Sequence, residues 1–277
     1  MEQLLVRKYD GSLVPFDRSR LLKSLKRSGA TNRIADHITK AIELESYDGI
    51  STKAIYKKAS QLLYKHERGT GVKYRLKQAM MDLGPSGYPF EKFVAELFLQ
   101  RGFEVEVGVM MQGWSVAHEV DVVAQNPDKY YVIECKFHNN QATKSDVKTS
   151  MYIHSRVQDL HKVLKQGDAK GKKSYVGWIV TNTRFTKDAI KFGNDYGLNM
   201  LSWDYPEDGG LRDWIEIEGL HPITSLSALN KKEKRELLNA GIVRCKQLFD
   251  NPRVMDELPI QLRNKRAVMN ELKALFS

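Results

Sequence analysis

Apolar and polar positions change their period twice along the chain. Short alternating stretches at 6–8 and 14–16 flank Asp10-Gly11-Ser12, and Asp-Gly tolerates the positive φ of a tight turn, so a β-hairpin is expected there. Asp17 then has the position of an N-cap, and Leu21, Leu22, Leu25 and Ala30 follow at helical spacing, with Gly29 as the stop. Ile34, Ile38, Ala41 and Ile42 predict a second helix. Ile55, Ala59, Leu62 and Leu63 predict a third, capped by Ser51 or Thr52, and Tyr74, Leu76, Ala79, Met80 and Leu83 a fourth. The stretch 83–89, with two prolines and two glycines, breaks any helix and marks a domain boundary.

Beyond it Phe90, Phe93, Val94, Leu97 and Phe98 form the stripe of a helix buried on one side. The period then falls to two. Strands are expected at 103–109, 119–124 and 130–137, with a turn at Asn126-Pro127-Asp128. A polar helix over 145–164, a basic loop with Lys170, Lys172 and Lys173, a strand at 175–180, a helix at 187–196 and a strand at 199–202 complete the order α, β, β, β, α, β, α, β. From Pro222 the pattern is helical again, through Leu226, Leu229, Leu237, Leu238, Val243, Leu248 and Phe249. The fold class is therefore multi-domain α/β: a hairpin with a helical bundle over 1–84, an α/β core with a mixed sheet over 85–218, and a small helical module over 219–277.

At 277 residues the chain has room for at least two domains, and 42% hydrophobic residues supply their cores. The longest apolar run, at 93–99 and interrupted by Glu96, is far shorter than a membrane span, so no membrane partner is expected. The first eight residues lack the apolar segment of a secretory signal. Cys135 and Cys245 stand far apart, outside any CxxC pair, which argues against a disulfide framework or zinc ribbon and for a cytoplasmic location.

Charge sharpens this picture through its distribution. The net +10 divides into +8 over 1–84, −3 over 85–218 and +5 over 219–277. Basic flanks suit a polyanionic partner such as DNA, and the acidic middle suits a bound cation. An ordinary lysine-rich solvated surface gives the same totals.

The middle carries the chemistry. Asp121 interrupts the apolar Glu119-Val-Asp121-Val-Val, and Glu134 and Lys136 interrupt Val132-Ile-Glu134-Cys-Lys136. Strand alternation puts Glu134 and Lys136 on one face. A phosphodiester is hydrolysed in line by water, which must be deprotonated and aimed while charge on the phosphoryl oxygens is neutralised, work suited to a divalent cation. Mg²⁺ takes hard oxygen ligands and few protein carboxylates, so Asp121 and Glu134 are the candidate ligands, with Mn²⁺ as a substitute. Lys136 would bind phosphate or steady the nucleophile.

Residues 90–204 resemble the PD-(D/E)xK superfamily, and more closely its Mrr-like restriction endonucleases. The likeness rests on Phe90-Glu91, Gly102-Phe103, Glu119-Val-Asp121-Val-Val, Ile133-Glu134-Cys-Lys136 and the TNxxFTxxA-like stretch at 180–189. It implies a metal-dependent deoxyribonuclease of the type IV restriction kind. By this resemblance Asp121, Glu134, the Cys135 carbonyl and Glu91 are metal ligands, and Asp121, Glu134, Lys136 and Glu91 are catalytic. The Mrr protein has glutamine at the place of Glu134, so this chain is nearer the general superfamily pattern. Gln112, His118, His138, Gln141, Tyr152 and Arg156 lie near the site in sequence, though each alone reads more readily as a surface or packing residue. Trp114 reads equally as a DNA contact or a buried aromatic.

The first 84 residues resemble the ATP-cone, a nucleotide-sensing module of ribonucleotide reductases and of their repressor. The likeness is carried by Val6-Arg-Lys8-Tyr9-Asp10-Gly11, Phe16-Asp17-Arg18-Ser-Arg20-Leu21 and Gly49-Ile50-Ser51-Thr52. It implies ATP or dATP as an allosteric ligand, held by Val6, Lys8, Tyr9, Asp17, Arg20 and Thr52. Lys8 and Arg20 suit a triphosphate, and Thr52 stands at a helix start, where anions are favoured. No GxxxxGK[ST] occurs, which argues against an ATP motor. The last 55 residues resemble helix-hairpin-helix modules through Leu226-Ser-Ala-Leu229 and 237–242, although a helical tail used for packing or oligomerisation fits as well. The expectation is a nucleotide-regulated, homo-oligomeric DNA endonuclease of restriction, defence or DNA processing. Its rivals are a nucleotide-gated DNA-binding or oligomerisation protein with an inactive nuclease fold, and a Holliday-junction resolvase.

Overall fold

The structure is a computed structural model that describes residues 4–167 and 173–276, so Lys170 and Lys172 of the expected basic loop lie outside the described residues. The chain divides into two compact units: one holds 1–79, 223–237 and 245–277, the other 80–222 and 238–244.

The first unit opens with the expected hairpin, β1 (Leu5–Arg7) and β2 (Leu13–Pro15). The turn is closed by Lys8 N–H on the Ser12 carbonyl, with Gly11 at φ +86°. Asp17 caps α1 (Arg18–Arg27) by accepting from the Arg20 N–H, and Thr31 caps α2 (Asn32–Glu45) through Ile34 N–H. A two-residue strand, β3 (Ile50–Ser51), lies parallel to β1 and gives the sheet the order β2-β1-β3. Ser51, not Thr52, caps α3 (Thr52–His66), its side chain accepting from Ala54 N–H. The stretch read as one fourth helix is two, α4 (Arg68–Tyr74) and α5 (Leu76–Met81). Leu21, Leu25, Ala35, Ile38, Ile42, Ile55, Ala59 and Leu63 make the core on which the ribbon sits.

The second unit begins with α6 (Tyr88–Gln100), which has a proline in its first turn, where the missing N–H costs nothing. Its buried face carries Phe90, Phe93, Val94, Leu97 and Phe98. Then come β4 (Glu104–Gln112), β5 (Ala117–Gln125), β6 (Lys129–Lys136), β7 (Lys144–Ser145), α7 (Val147–Gly167), β8 (Ser174–Thr181), β9 (Arg184–Phe185), α8 (Lys187–Asp195), β10 (Asn199–Leu201) and α9 (Leu211–Glu218). The five-stranded sheet has the order β10-β8-β6-β5-β4. Its β4-β5-β6 half is antiparallel and its β6-β8-β10 half parallel, a mixed sheet. Helix α6 packs on β4, β5 and β6, whereas α7 and α8 cover Val120, Val123, Val132, Ile179 and Met200. The small ladder β7-β9 and helix α9 add to the expected order.

The C-terminal stretch forms a single 3₁₀ turn (Ile223–Ser225), α10 (Lys231–Asn239), α11 (Cys245–Asp250), α12 (Val254–Glu257) and α13 (Leu262–Phe276). Within the first unit α13 lies against α4 so closely that a Cβ at Gly69 would overlap the Ala274 carbonyl oxygen. Fully buried Glu271, on α13, accepts from Tyr64 Oη at 2.7 Å and from the Ser227 and Ala228 N–H groups at 2.7 and 3.0 Å. A buried carboxylate is tolerable only with such a full set of donors. Among the described residues no helix is long and apolar enough to cross a membrane.

Candidate active site

The site forms where β5 leaves β6. Pairing between these strands runs from Gln125↔Tyr130 to Val122↔Ile133 and goes no further. At the next position the Asp121 carboxylate takes over the backbone's part: its Oδ2 accepts the Cys135 N–H at 2.7 Å. The β4-β5 ladder also skips this position, and Gly108, which stands opposite Asp121 in the register, has φ +67°. Only glycine holds such a conformation without steric cost. Val120 and Val123 both face the α7 side, although strict alternation would send them to opposite faces. The break falls at Asp121 and turns its side chain into the gap.

On β6, Glu134 is 7% exposed and each of its oxygens has a cationic partner. Lys136 Nζ lies 2.6 Å from Oε1 and Arg156 Nη1, from α7, 2.7 Å from Oε2. Arg156 also donates through Nη2 to the Glu119 carbonyl, so one guanidinium joins α7 to both strands. Glu91, in the first turn of α6, completes the group from the opposite face. Burial, then the negative charges of Asp121, Glu119 and Glu134, push its carboxyl up to about 7. Burial and Glu134 push Asp121 up to about 6. Asp121 and Glu91 thus bear the cost of crowding negative charge beside Glu134, a cost that Lys136 and Arg156 only partly offset.

Among the described residues no group of three or more His, Cys, Asp and Glu side chains is close enough to enclose a metal. The donors present still fit Mg²⁺ or Mn²⁺, which take one or two carboxylates and complete their shell with water and phosphate. Asp121 and Glu134 are hard oxygen donors on adjacent strands, and the like-charge strain at the site is what a divalent cation relieves. The Cys135 thiol is buried and pushed well above its usual range, so only its backbone carbonyl suits such an ion.

The remaining candidates separate. Arg156 stands beside the acids, and exposed Tyr152 has its ring centroid 5.7 Å from the Arg156 guanidinium. His118 belongs to a different contact, with Nε2 2.8 Å from Asp159 Oδ2. His138 is a structural tie: its N–H donates to Asn182 Oδ1 at 2.8 Å, its Nε2 lies 2.9 Å from Ser145 Oγ, and burial lowers its pKa. Gln112 donates to the Gly113 carbonyl and Gln141 lies in the turn after β6. Trp114 is 57% exposed, which removes the buried-aromatic reading. Asp159 went unrecognised in the sequence, where nothing marks it among the polar residues of α7.

The first unit has a separate cavity of about 280 Å³ between the ribbon and helices α1 and α3. Val6, Lys8, Asp17, Arg20 and Thr52 line it, while Tyr9 does not and is largely exposed. Tyr56 and Tyr74, stacked at 5.0 Å and both lining residues, were missed because their pairing joins α3 to α4 across 18 positions.

A mixed sheet with α6 on one face, α7 on the other and acids with a lysine at the parting of two strands defines a nuclease-like domain of the restriction endonuclease class. Residues 84–206 match the restriction endonuclease family, 4–77 match the ATP cone domain, and 221–276 match the family described as AF1548-like, C-terminal. An uncharacterized protein of Archaeoglobus fulgidus is 34% identical over 184 residues, 66% of this chain and 99% of that one. The crystal structure of the protein of unknown function AF1548 superposes with a TM-score of 0.57 at 33% identity, over 68% of this chain and 97% of that one. The chain belongs to the AF1548-like proteins, and joins an ATP cone, a restriction endonuclease domain and the AF1548-like C-terminal region in that order. A more distant likeness, to MspJI restriction endonuclease in complex with a 27-mer oligonucleotide, has a TM-score of 0.37 at 12% identity, over 62% of this chain and 36% of that one.

Proposed function

We propose that this protein is a divalent-metal-dependent DNA endonuclease whose activity is controlled by ATP or dATP bound to the ATP cone, and that it works in the cytoplasm as a homo-oligomer in restriction, defence or DNA processing. The observation that carries the reading is the gathering of Asp121, Glu134, Lys136 and Glu91 at the parting of β5 and β6. Asp121 and Glu134 would hold Mg²⁺ or Mn²⁺, with the Cys135 carbonyl and Glu91 as further oxygen donors. When bound, the cation supplies charge neutralisation for in-line displacement at phosphorus.

The residues around it have distinct parts. The Cys135 N–H fixes the orientation of Asp121. Arg156 fixes Glu134 from the α7 side, which leaves the more exposed Lys136 ammonium as the cation that can turn to a phosphate oxygen. Before a cation binds, burial and the neighbouring acids push the Glu91 carboxyl up to about 7, so Glu91 would give up its proton on becoming a ligand. In the first unit, the cavity offers Lys8 and Arg20 to phosphates, Thr52 at the start of α3, and apolar walls at Val6, Phe16 and Leu21 for a base.

Supercoiled plasmid incubated with Mg²⁺ or Mn²⁺ tests the reading. Wild type should nick or linearise it, EDTA should abolish this, and Glu134→Ala and Lys136→Ala should each lose it. ATP or dATP should change the rate. Cleavage that persists in both variants rejects the site, and a rate indifferent to either nucleotide rejects the regulation.

A further inference from the structure

The β4-β5 hairpin ends in the tip Gly113-Trp114-Ser115-Val116, and Asp159 of α7 accepts the N–H groups of Trp114, Ser115 and Val116. The Trp114 N–H donates to the Asp159 carbonyl at 3.1 Å, and the Ser115 and Val116 N–H groups donate to its carboxylate oxygens at 2.9 and 3.4 Å. His118 Nε2 lies 2.8 Å from Oδ2, and a Cβ at Gly113 would collide with the same carboxylate. These contacts hold the Asp159 carboxyl down at about 2, the His118 contact first among them.

A tip fixed so tightly presents a tryptophan that is 57% exposed, beside exposed Val116. Tryptophan joins a broad apolar face to a polar N–H and is enriched where a protein meets a partner. Its place indicates the partner. Asp159 is three positions from Arg156 on α7, one helical turn and about 5 Å along the axis. Arg156 holds Glu134, and Tyr152, 61% exposed, lies one turn further on the same face. The tip and exposed Tyr152 therefore lie along one face of α7 on either side of Arg156, which is engaged with Glu134 and the Glu119 carbonyl, and the more exposed Lys136 is the cation beside them that a phosphate can reach. Aromatic faces interleaved with cations fit nucleic acid, whose bases stack while its phosphates pair with charge.

We propose that Trp114 is a base-stacking residue that takes a nucleobase from an unpaired or opened stretch of DNA beside the candidate active site, with Asp159 as the residue that positions it. The proposal rests on the nuclease reading above and adds the substrate feature it recognises: a base outside the duplex stack. Asp159 acts through the tip and touches no DNA.

The test is the affinity of the full-length protein, in EDTA, for a labelled single-stranded oligonucleotide and for a wholly abasic oligomer of the same length and charge. Wild type should bind the normal strand more tightly than the abasic one. Trp114→Ala should weaken binding of the normal strand by roughly 5- to 150-fold, the range for loss of one stacked base, and leave the abasic strand unchanged. Trp114→Phe should retain most of the affinity. Gly113→Ala, which displaces the tip and keeps the indole, should weaken normal-strand binding as well. Equal affinity of wild type and Trp114→Ala for the normal strand, with plasmid cleavage intact, overturns the stacking role and spares the nuclease reading. Wild type that neither binds nor cuts DNA overturns both. A change of sedimentation coefficient in Trp114→Ala without any change in DNA affinity assigns the tip to a second copy of this chain and overturns the proposal.

Discussion

Replacing Arg156 with methionine tests the geometry of the acids without touching any of them. The Arg156 and Glu134 side chains are 15% and 10% exposed, and their contact is 2.7 Å. A buried ion deprived of its sole partner costs about 3 to 5 kcal/mol. Glu134 keeps Lys136 on its other oxygen, and methionine retains part of the arginine's apolar stem, so Arg156→Met should cost about 2 to 3 kcal/mol. The loss should be coupled to the carboxylate: Glu134→Gln with Arg156→Met should be more stable than the sum of the single changes by about 1 kcal/mol or more. Urea unfolding followed by the fluorescence of Trp178 and Trp214, both in the second unit, reads this out, since their cluster with Phe98 disperses on unfolding. Mg²⁺ should return part of the stability of Arg156→Met by supplying positive charge at the same oxygens. Additive effects within about 0.3 kcal/mol would refute the claim that Arg156 acts through Glu134.

Other outcomes follow from the same structure. Asp121 and Glu91 have carboxyls raised in the folded protein, so each adds stability that is complete below pH 4 and is lost as pH rises through about 6 and 7. For Asp121 the rise from 3.8 to about 6 corresponds to roughly 3 kcal/mol, and Asp121→Asn should flatten the pH dependence of metal-free unfolding between pH 4 and 7. Added Mg²⁺ or Mn²⁺ should raise the Tm of wild type more at pH 8 than at pH 5, because the ligands must be deprotonated, and an equal shift at both pH values would contradict the assignment. Arg20→Ala should weaken ATP or dATP binding by about tenfold or more in calorimetry, the loss of one charge-assisted hydrogen bond, with the divalent-cation response unchanged. Gly69→Ala should destabilise the first unit by about 1 to 3 kcal/mol in thermal unfolding, because the added methyl would overlap the Ala274 carbonyl of α13.

The elements with local signals were legible in the sequence. Asp17 with Leu21 and Leu25 gave α1 and its cap, the Phe90 to Phe98 stripe gave α6, and the Asp-Gly turn gave the first hairpin. Strands β3, β7 and β9 are two residues long and exist through pairing with distant segments, which no local period encodes. Asp121, Glu134 and Lys136 stood out because charge interrupts apolar strands. The way Asp121 reaches the gap did not, because alternation alone cannot show that Gly108 opposite it breaks the pleat. Arg156 was one polar residue among many on α7, and its role depends on the meeting of β5, β6 and α7 in space. The seat of α13 rests on Gly69 of α4 against Ala274 and on Tyr64 of α3, which donates to Glu271 across 207 positions, a separation over which a single sequence carries no pairing signal.

The central claim is that the acids and lysine at the parting of β5 and β6 cut DNA with a divalent cation. Single-turnover cleavage of a labelled duplex, with enzyme in excess and Mn²⁺ present, tests it most directly in wild type, Asp121→Asn, Glu134→Gln and Lys136→Ala, each first shown to be folded. The account predicts a wild-type rate that vanishes with EDTA and falls by about 100-fold or more in every variant, as expected when charge stabilisation of the transition state is removed. Folded variants that cut at the wild-type rate, or wild-type cutting that survives EDTA, would contradict it.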